Sequence, residues 1–111
     1  MDAKGRRIAT FVTSSGKVPY EEWFNSLKDK RAKALVLNRI DRVRLGNFGN
    51  CRSVGGGVYE LKIFHGPGLR IYFGLDGEEL VLLLSGGDKS SQNRDIAHAH
   101  ELWREYKTNA N

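Results

Sequence analysis

Between residues 58 and 92 the chain reads VYELKIFHGPGLRIYFGLDGEELVLLLSGGDKSSQ, and this stretch constrains the rest of the molecule. It holds three candidate strands, residues 58–64, 69–75 and 79–84. They are separated by His65-Gly66-Pro67-Gly68 and by Asp76-Gly77, turn compositions whose glycines admit positive φ. Successive strand side chains point to opposite sides, so Leu61, Ile63, Leu69, Ile71 and Phe73 fall on one face. The other face receives Glu60, Lys62, Arg70 and Tyr72. The third segment, LVLLL, is apolar at every position, as a strand covered on both faces requires. A sheet with one core face and one face carrying charge at its open end is the expectation.

A chain of 111 residues has room for one core, so residues 1–111 are read as a single domain. Its longest apolar run, residues 80–84, is far short of a membrane span. The opening MDAKGRR is followed by no apolar segment, so no secretory signal is expected. The lone Cys51 cannot form an internal disulfide, and cytoplasm is the expected compartment. The net charge of +5 is unevenly placed. Residues 1–50 carry 11 Lys and Arg against 5 Asp and Glu, whereas residues 51–111 carry 7 against 8, so the excess lies in the first half. A polyanionic partner accounts for such a bias, and so does a solvated helix face that contacts nothing.

Residues 7–12 read as a short strand, followed by the turn Thr13-Ser14-Ser15-Gly16. Pro19 suits the first position of a helix, and Tyr20, Trp23, Phe24 and Leu27 then form an apolar stripe ending near Lys28. Asp29 is placed to cap a second helix, with Ala32, Val36, Ile40 and Val43 inward and Gly46-Asn47 as its stop. Two helices with almost no linker imply a helical hairpin packed on the sheet. Residues 47–57 read as loop with a short pairing segment near 51–54. Residues 90–106 read as a closing helix with Ile96, Ala99, Trp103 and Tyr106 on one side, and residues 108–111 as a frayed polar tail. The order is β-α-α-β-β-β-α: an α+β fold with an antiparallel meander, an N-terminal helical hairpin, a C-terminal helix, and helices mainly to one side.

If the first two strands of the meander pair, Glu60, Lys62, Arg70 and Tyr72 converge. The Gly-Gly-Asp-Lys turn aims Lys89 over the same area. One carboxylate, three cations and a phenol can bind a phosphodiester. Arginine clamps the non-bridging oxygens, while a carboxylate or lysine takes a proton from a ribose 2′-hydroxyl and another lysine protonates the leaving oxygen. The bland alternative is cross-strand ion pairing on an exposed face, worth a fraction of a kcal/mol per pair. No metal or other cofactor is expected, because His65, His98 and His100 lack ligand spacing with carboxylates or thiols. Gly55-Gly56-Gly57 lacks the Lys-Ser/Thr and helix of a phosphate loop.

The blocks GVYELKI, GPGLRIYFG and LLLSGGDKSSQNRDIAHAHELWREY resemble the RelE/ParE superfamily, in particular its HigB-like addiction module killer proteins. The resemblance covers nearly the whole chain. It implies a RelE-like fold and the toxin of a type II toxin–antitoxin module, a metal-independent endoribonuclease that cleaves mRNA on the ribosome. It also implies neutralisation by a cognate helix-turn-helix antitoxin, with operator DNA reached only through the antitoxin complex. Carried over by position, Arg70 matches the arginine at the scissile phosphate, and Lys89 a basic residue after the last long strand. Glu60 and Lys62 stand where relatives place basic residues, so Glu60 departs from the pattern and leaves the base open between the two. Tyr72 and Gln92 are expected to contact RNA, and Tyr106 is the sole candidate for a C-terminal catalytic tyrosine. Arg39, Arg42 and Arg44 of the basic helix are the expected contacts to ribosomal RNA. ParE-like members share the fold but inhibit DNA gyrase without catalysis. A degenerate toxin retained for antitoxin binding is a third alternative.

Overall fold

The three segments expected between residues 58 and 84 are consecutive antiparallel neighbours in a five-stranded sheet. The computed structural model describes residues 5–109. Along the chain run β1 (Arg7–Thr10), α1 (Pro19–Ser26), α2 (Lys30–Arg44), β2 (Cys51–Ser53), β3 (Val58–Ile63), β4 (Leu69–Asp76) and β5 (Leu80–Asp88). A single 3-10 turn (Lys89–Ser91) then leads into α3 (Gln92–Asn109). Strand order is β1-β5-β4-β3-β2. The meander β3-β4-β5 is antiparallel as expected, and β2 joins β3 antiparallel, but β1 lies parallel to β5, so the sheet as a whole is mixed. The parallel edge follows from the path: α1 and α2 carry the chain from β1 at one edge to β2 at the other.

Local signals account for the helix ends. Asp29 accepts a 2.9 Å hydrogen bond from the Arg31 amide, the N-cap role expected of it. At the other end of α2, the Gly46 amide donates to Val43 and the Asn47 amide to Arg42, both at 2.8 Å. Gly46 takes φ 89° there, the left-handed turn that closes a helix in this manner.

Two helices lie on one side of the sheet, but the third covers the opposite face, which the reading of helices mainly to one side did not provide for. α1 and α2 cover one face, where Tyr20, Val36, Ile40 and Val43 pack on Leu61, Ile71, Phe73, Val81 and Leu83. α3 covers the other, its Ala99, Leu102 and Trp103 packing on Val58, Tyr72, Leu82 and Leu84. The apolar run of β5 required this, since Val81 and Leu83 point one way and Leu82 and Leu84 the other. α3 begins at Gln92 and covers only part of its face, leaving the Glu60, Lys62 and Arg70 end open. It stays helical through Asn109, so Thr108 and Asn109 belong to the helix; the remainder of the expected tail, residues 110–111, lies outside the described residues.

β5 also runs four residues past its expected end at Leu84, through the glycine pair to Asp88. Tyr72 pairs with Ser85 while Phe73 pairs with Leu83, so Leu84 is the extra residue of a bulge. The bulge reverses the in-out alternation. Gly86 therefore faces Trp23 of α1, and Gly87 faces Asp95 of α3, each so closely that an added methyl group would overlap the neighbour. The glycines read as strand terminators are strand residues chosen for close approach.

Candidate active site

Strand register assembles the site. Lys62 lies opposite Arg70, and Glu60 opposite Tyr72 on β4 and Arg52 on β2. The tight turn after β5 brings Lys89 and Gln92 to the same end. Asn50, Arg52, Glu60, Lys62, Arg70, Lys89 and Gln92 line one cleft of about 430 Å³.

Glu60 is its centre, a carboxylate only 2% exposed. Its Oε1 accepts from Arg52 Nε at 2.8 Å, and its Oε2 from Gln92 Nε2 at 2.9 Å and the Tyr72 hydroxyl at 3.1 Å. Burial pushes the Glu60 pKa up, but the hydrogen bonds from Arg52, Gln92 and Tyr72 outweigh it and hold the carboxyl below its ordinary range. Arg70 is buried beside it at 3% exposure, with Nη1 donating to the Gly68 carbonyl at 2.9 Å. Its Nε stands 3.8 Å from Glu60 Oε2 and has no hydrogen-bond partner among the described residues. That Nε is itself shut off from solvent and faces the Glu60 carboxylate, while the Arg70 residue contributes to the wall of a basic cleft, where a guanidinium can donate to anionic oxygens.

The other anticipated residues divide. Half-buried Lys62 and exposed Lys89 both line the cleft. Gln92 is half-buried and holds Glu60. Tyr72 is fully buried, and burial together with the Glu60 charge raises its pKa far above the usual tyrosine value. It supports Glu60 from below and offers no surface to RNA. Arg39 is also withdrawn: its guanidinium donates to the carbonyls of Lys62 (2.7 Å), Phe48 (2.9 Å) and Asn50 (2.8 Å), fastening the loop after α2 to β3. Arg42 and Arg44 remain exposed, Arg44 paired with Asp41. Tyr106 stacks on Trp103 and donates to Asp76, at the opposite end of β4 from Arg70. Six steps along the strand separate Arg70 from Asp76, roughly 20 Å, which removes Tyr106 from the cluster.

Sequence reasoning missed Arg52 and Asn50. Their signal was the short pairing segment after the second helix: aligning Arg52 with Glu60 across β2 and β3 reveals the contact. Of the histidines, His100 bonds the Val54 carbonyl at 3.0 Å and His65 bonds Asp29 at 2.7 Å, both serving the fold. Among the described residues no three His, Cys, Asp or Glu side chains are grouped to hold a metal ion. No helix there is long and apolar enough to cross a membrane.

A family model described as "Phage derived protein Gp49-like (DUF891)" matches residues 22–105, which include every residue of the cleft. An uncharacterized protein of Haemophilus influenzae is 45% identical over 86 residues, covering 78% of this chain and 87% of the relative.

Proposed function

Because the chain belongs to the Gp49-like family of phage-derived proteins, we propose that it is a toxin of a type II toxin–antitoxin module and cleaves mRNA as a metal-independent endoribonuclease. The observation that carries this reading is the cleft itself, in which Arg52, Lys62, Arg70 and Lys89 are gathered around an ionised Glu60. Such a set matches a phosphodiester, whose transition state gains negative charge on the phosphoryl oxygens.

In the proposed reaction, Arg70 holds the scissile phosphate. A base removes the proton of the ribose 2′-hydroxyl, and the 2′-oxygen forms the new bond to phosphorus. The bond to the 5′-oxygen breaks, and Lys89 stabilises and protonates that leaving oxygen. The products are a 2′,3′-cyclic phosphate and a free 5′-hydroxyl. Glu60 becomes free to act as base when Arg52, 61% exposed, turns from Oε1 toward substrate phosphate. Lys62, on the same face, is the other group within the cleft for that task. Exposed Arg42 and Arg44 suit contacts to ribosomal RNA, and a helix-turn-helix antitoxin is the neutralising partner, through which operator DNA is reached.

Induced expression of the wild type and of Arg70→Ala tests the reading. Mapping of mRNA ends is expected to show discrete cuts with 5′-hydroxyl termini in the wild type alone. Intact mRNA with induction of the DNA-damage response would instead favour a ParE-like gyrase inhibitor. A wild type without any growth effect that still binds its antitoxin would mark a degenerate toxin.

A further inference from the structure

Phe64 is the most exposed large apolar side chain among the described residues, at 75%. It follows β3 by one position, at the edge of the sheet next to Lys62 of the cleft. The Lys62 ammonium lies 5.2 Å from the centre of its ring, so a cation of the cleft and this ring are neighbours. Beside it is a second hollow of about 280 Å³, whose walls include Phe64, Ile63, Leu35, Arg42, Asn50 and Lys62. Asn50 and Lys62 belong to both hollows and join them. The floor is pre-set: Arg39 fixes the carbonyls of Phe48 and Asn50, and the Lys62 amide donates to Asn50 at 3.0 Å.

We propose that Phe64 is the stacking platform of a nucleobase subsite, receiving the base of an RNA nucleotide adjacent to the phosphate held at Arg70. This rests on the reading of the neighbouring cleft as an RNA phosphate site. An exposed ring carries a π-face that any base can cover. The cations around it suit the phosphate that accompanies each base, and Asn50 offers the amide that reads a base edge. A hollow meant only for an apolar protein side chain has no use for Arg42, Lys62 and Asn50 around its rim. The arrangement makes Phe64 a specificity-determining residue and leaves proton transfer to the first cleft.

The test uses a short single-stranded oligoribonucleotide with 2′-O-methyl groups, which prevent attack and isolate binding. Its affinity is measured for the wild type, Phe64→Leu, Phe64→Trp and Arg70→Ala, and again for RNA carrying one abasic position scanned along its length. Phe64→Leu is expected to weaken binding about tenfold or more, within the range seen for loss of a stacked base. Phe64→Trp retains affinity, its indole emission quenched on RNA addition beyond any change from Trp23 and Trp103; this guards against a misfolded leucine variant. One abasic position removes the difference between wild type and Phe64→Leu. Equal binding by wild type and Phe64→Leu overturns the subsite; a loss still seen in Arg70→Ala would then leave the phosphate cleft standing. No binding by the wild type overturns both. Unchanged RNA affinity of Phe64→Leu together with lost binding to a protein partner would assign the ring to a protein interface and also overturn the subsite.

Discussion

Glu60→Ala is the most informative single change, because one carboxylate holds four side chains in place. Arg70 at 3% exposure lies beside Glu60 at 2%, with Nε to Oε2 at 3.8 Å. Alanine leaves that guanidinium buried without its counter-charge, a situation that costs about 3–5 kcal/mol. The Tyr72 hydroxyl and the Gln92 amide lose their acceptor in the same step. In a domain of this size each kcal/mol moves Tm by about 4–8 °C, so Tm is expected to fall by at least about 12 °C. Arg52→Ala is the control: it removes the exposed partner of the same carboxylate and is expected to cost about 1 kcal/mol or less. The two variants are compared by thermal unfolding monitored by circular dichroism. The pH dependence has a definite sign. Glu60 has a folded pKa below its unfolded value, so its stabilisation is present above the ordinary glutamate range, about 4.3, and is lost as pH falls through the folded value. The gap between wild type and Glu60→Gln therefore narrows below about pH 4. A Glu60→Ala protein melting within a few degrees of Arg52→Ala would refute the argument, since Arg70 would then not depend on Glu60.

Three further outcomes follow from the packing and charge. Gly86→Ala drives a methyl group into the Trp23 ring and is expected to lose about 1–3 kcal/mol in urea unfolding, with Trp23→Leu relieving part of the loss. Arg39→Met removes a buried guanidinium bonded to three carbonyls, a loss of about 2–4 kcal/mol; hydrogen exchange at the Lys62 amide, which bonds Asn50, should accelerate as the loop detaches. Arg42→Glu with Arg44→Glu reverses two charges in the last turn of α2 and removes the partner of Asp41, so urea stability should fall by about 1–2 kcal/mol without loss of folding; sedimentation with ribosomes should weaken and lose part of its salt dependence, and unchanged sedimentation would sink the ribosomal contact.

Much of the architecture was legible locally. The strands of residues 58–84 follow from period-2 alternation and glycine turns, and α2 from its Asp29 cap and Gly46 stop. Parity alone put Glu60, Lys62, Arg70 and Tyr72 on one face, and they are there. The extension of β5 through Gly86 and Gly87 was not legible, because glycine ends strands by propensity and continues them only when a neighbour needs its missing Cβ. Here those neighbours are Trp23 and Asp95, distant in sequence.

What the sequence determined by itself, then, was periodicity, caps, the apolar need for two covered faces on β5, and which charged residues share a strand face. The tertiary structure alone decided the rest. It set β1 parallel to β5, brought Arg52 onto Glu60 through a three-residue strand, and separated Arg39 from Arg42 and Arg44. These three arginines look alike in a basic helix, yet only Arg39 meets carbonyls presented by a loop and a strand that fold against it. The same holds for Tyr72, whose hydroxyl is enclosed by α3 packing over the sheet. The physical reason is common to all of them. Alternation is written into neighbouring residues, whereas desolvation of a polar side chain depends on which remote segment covers it and which partner that segment supplies.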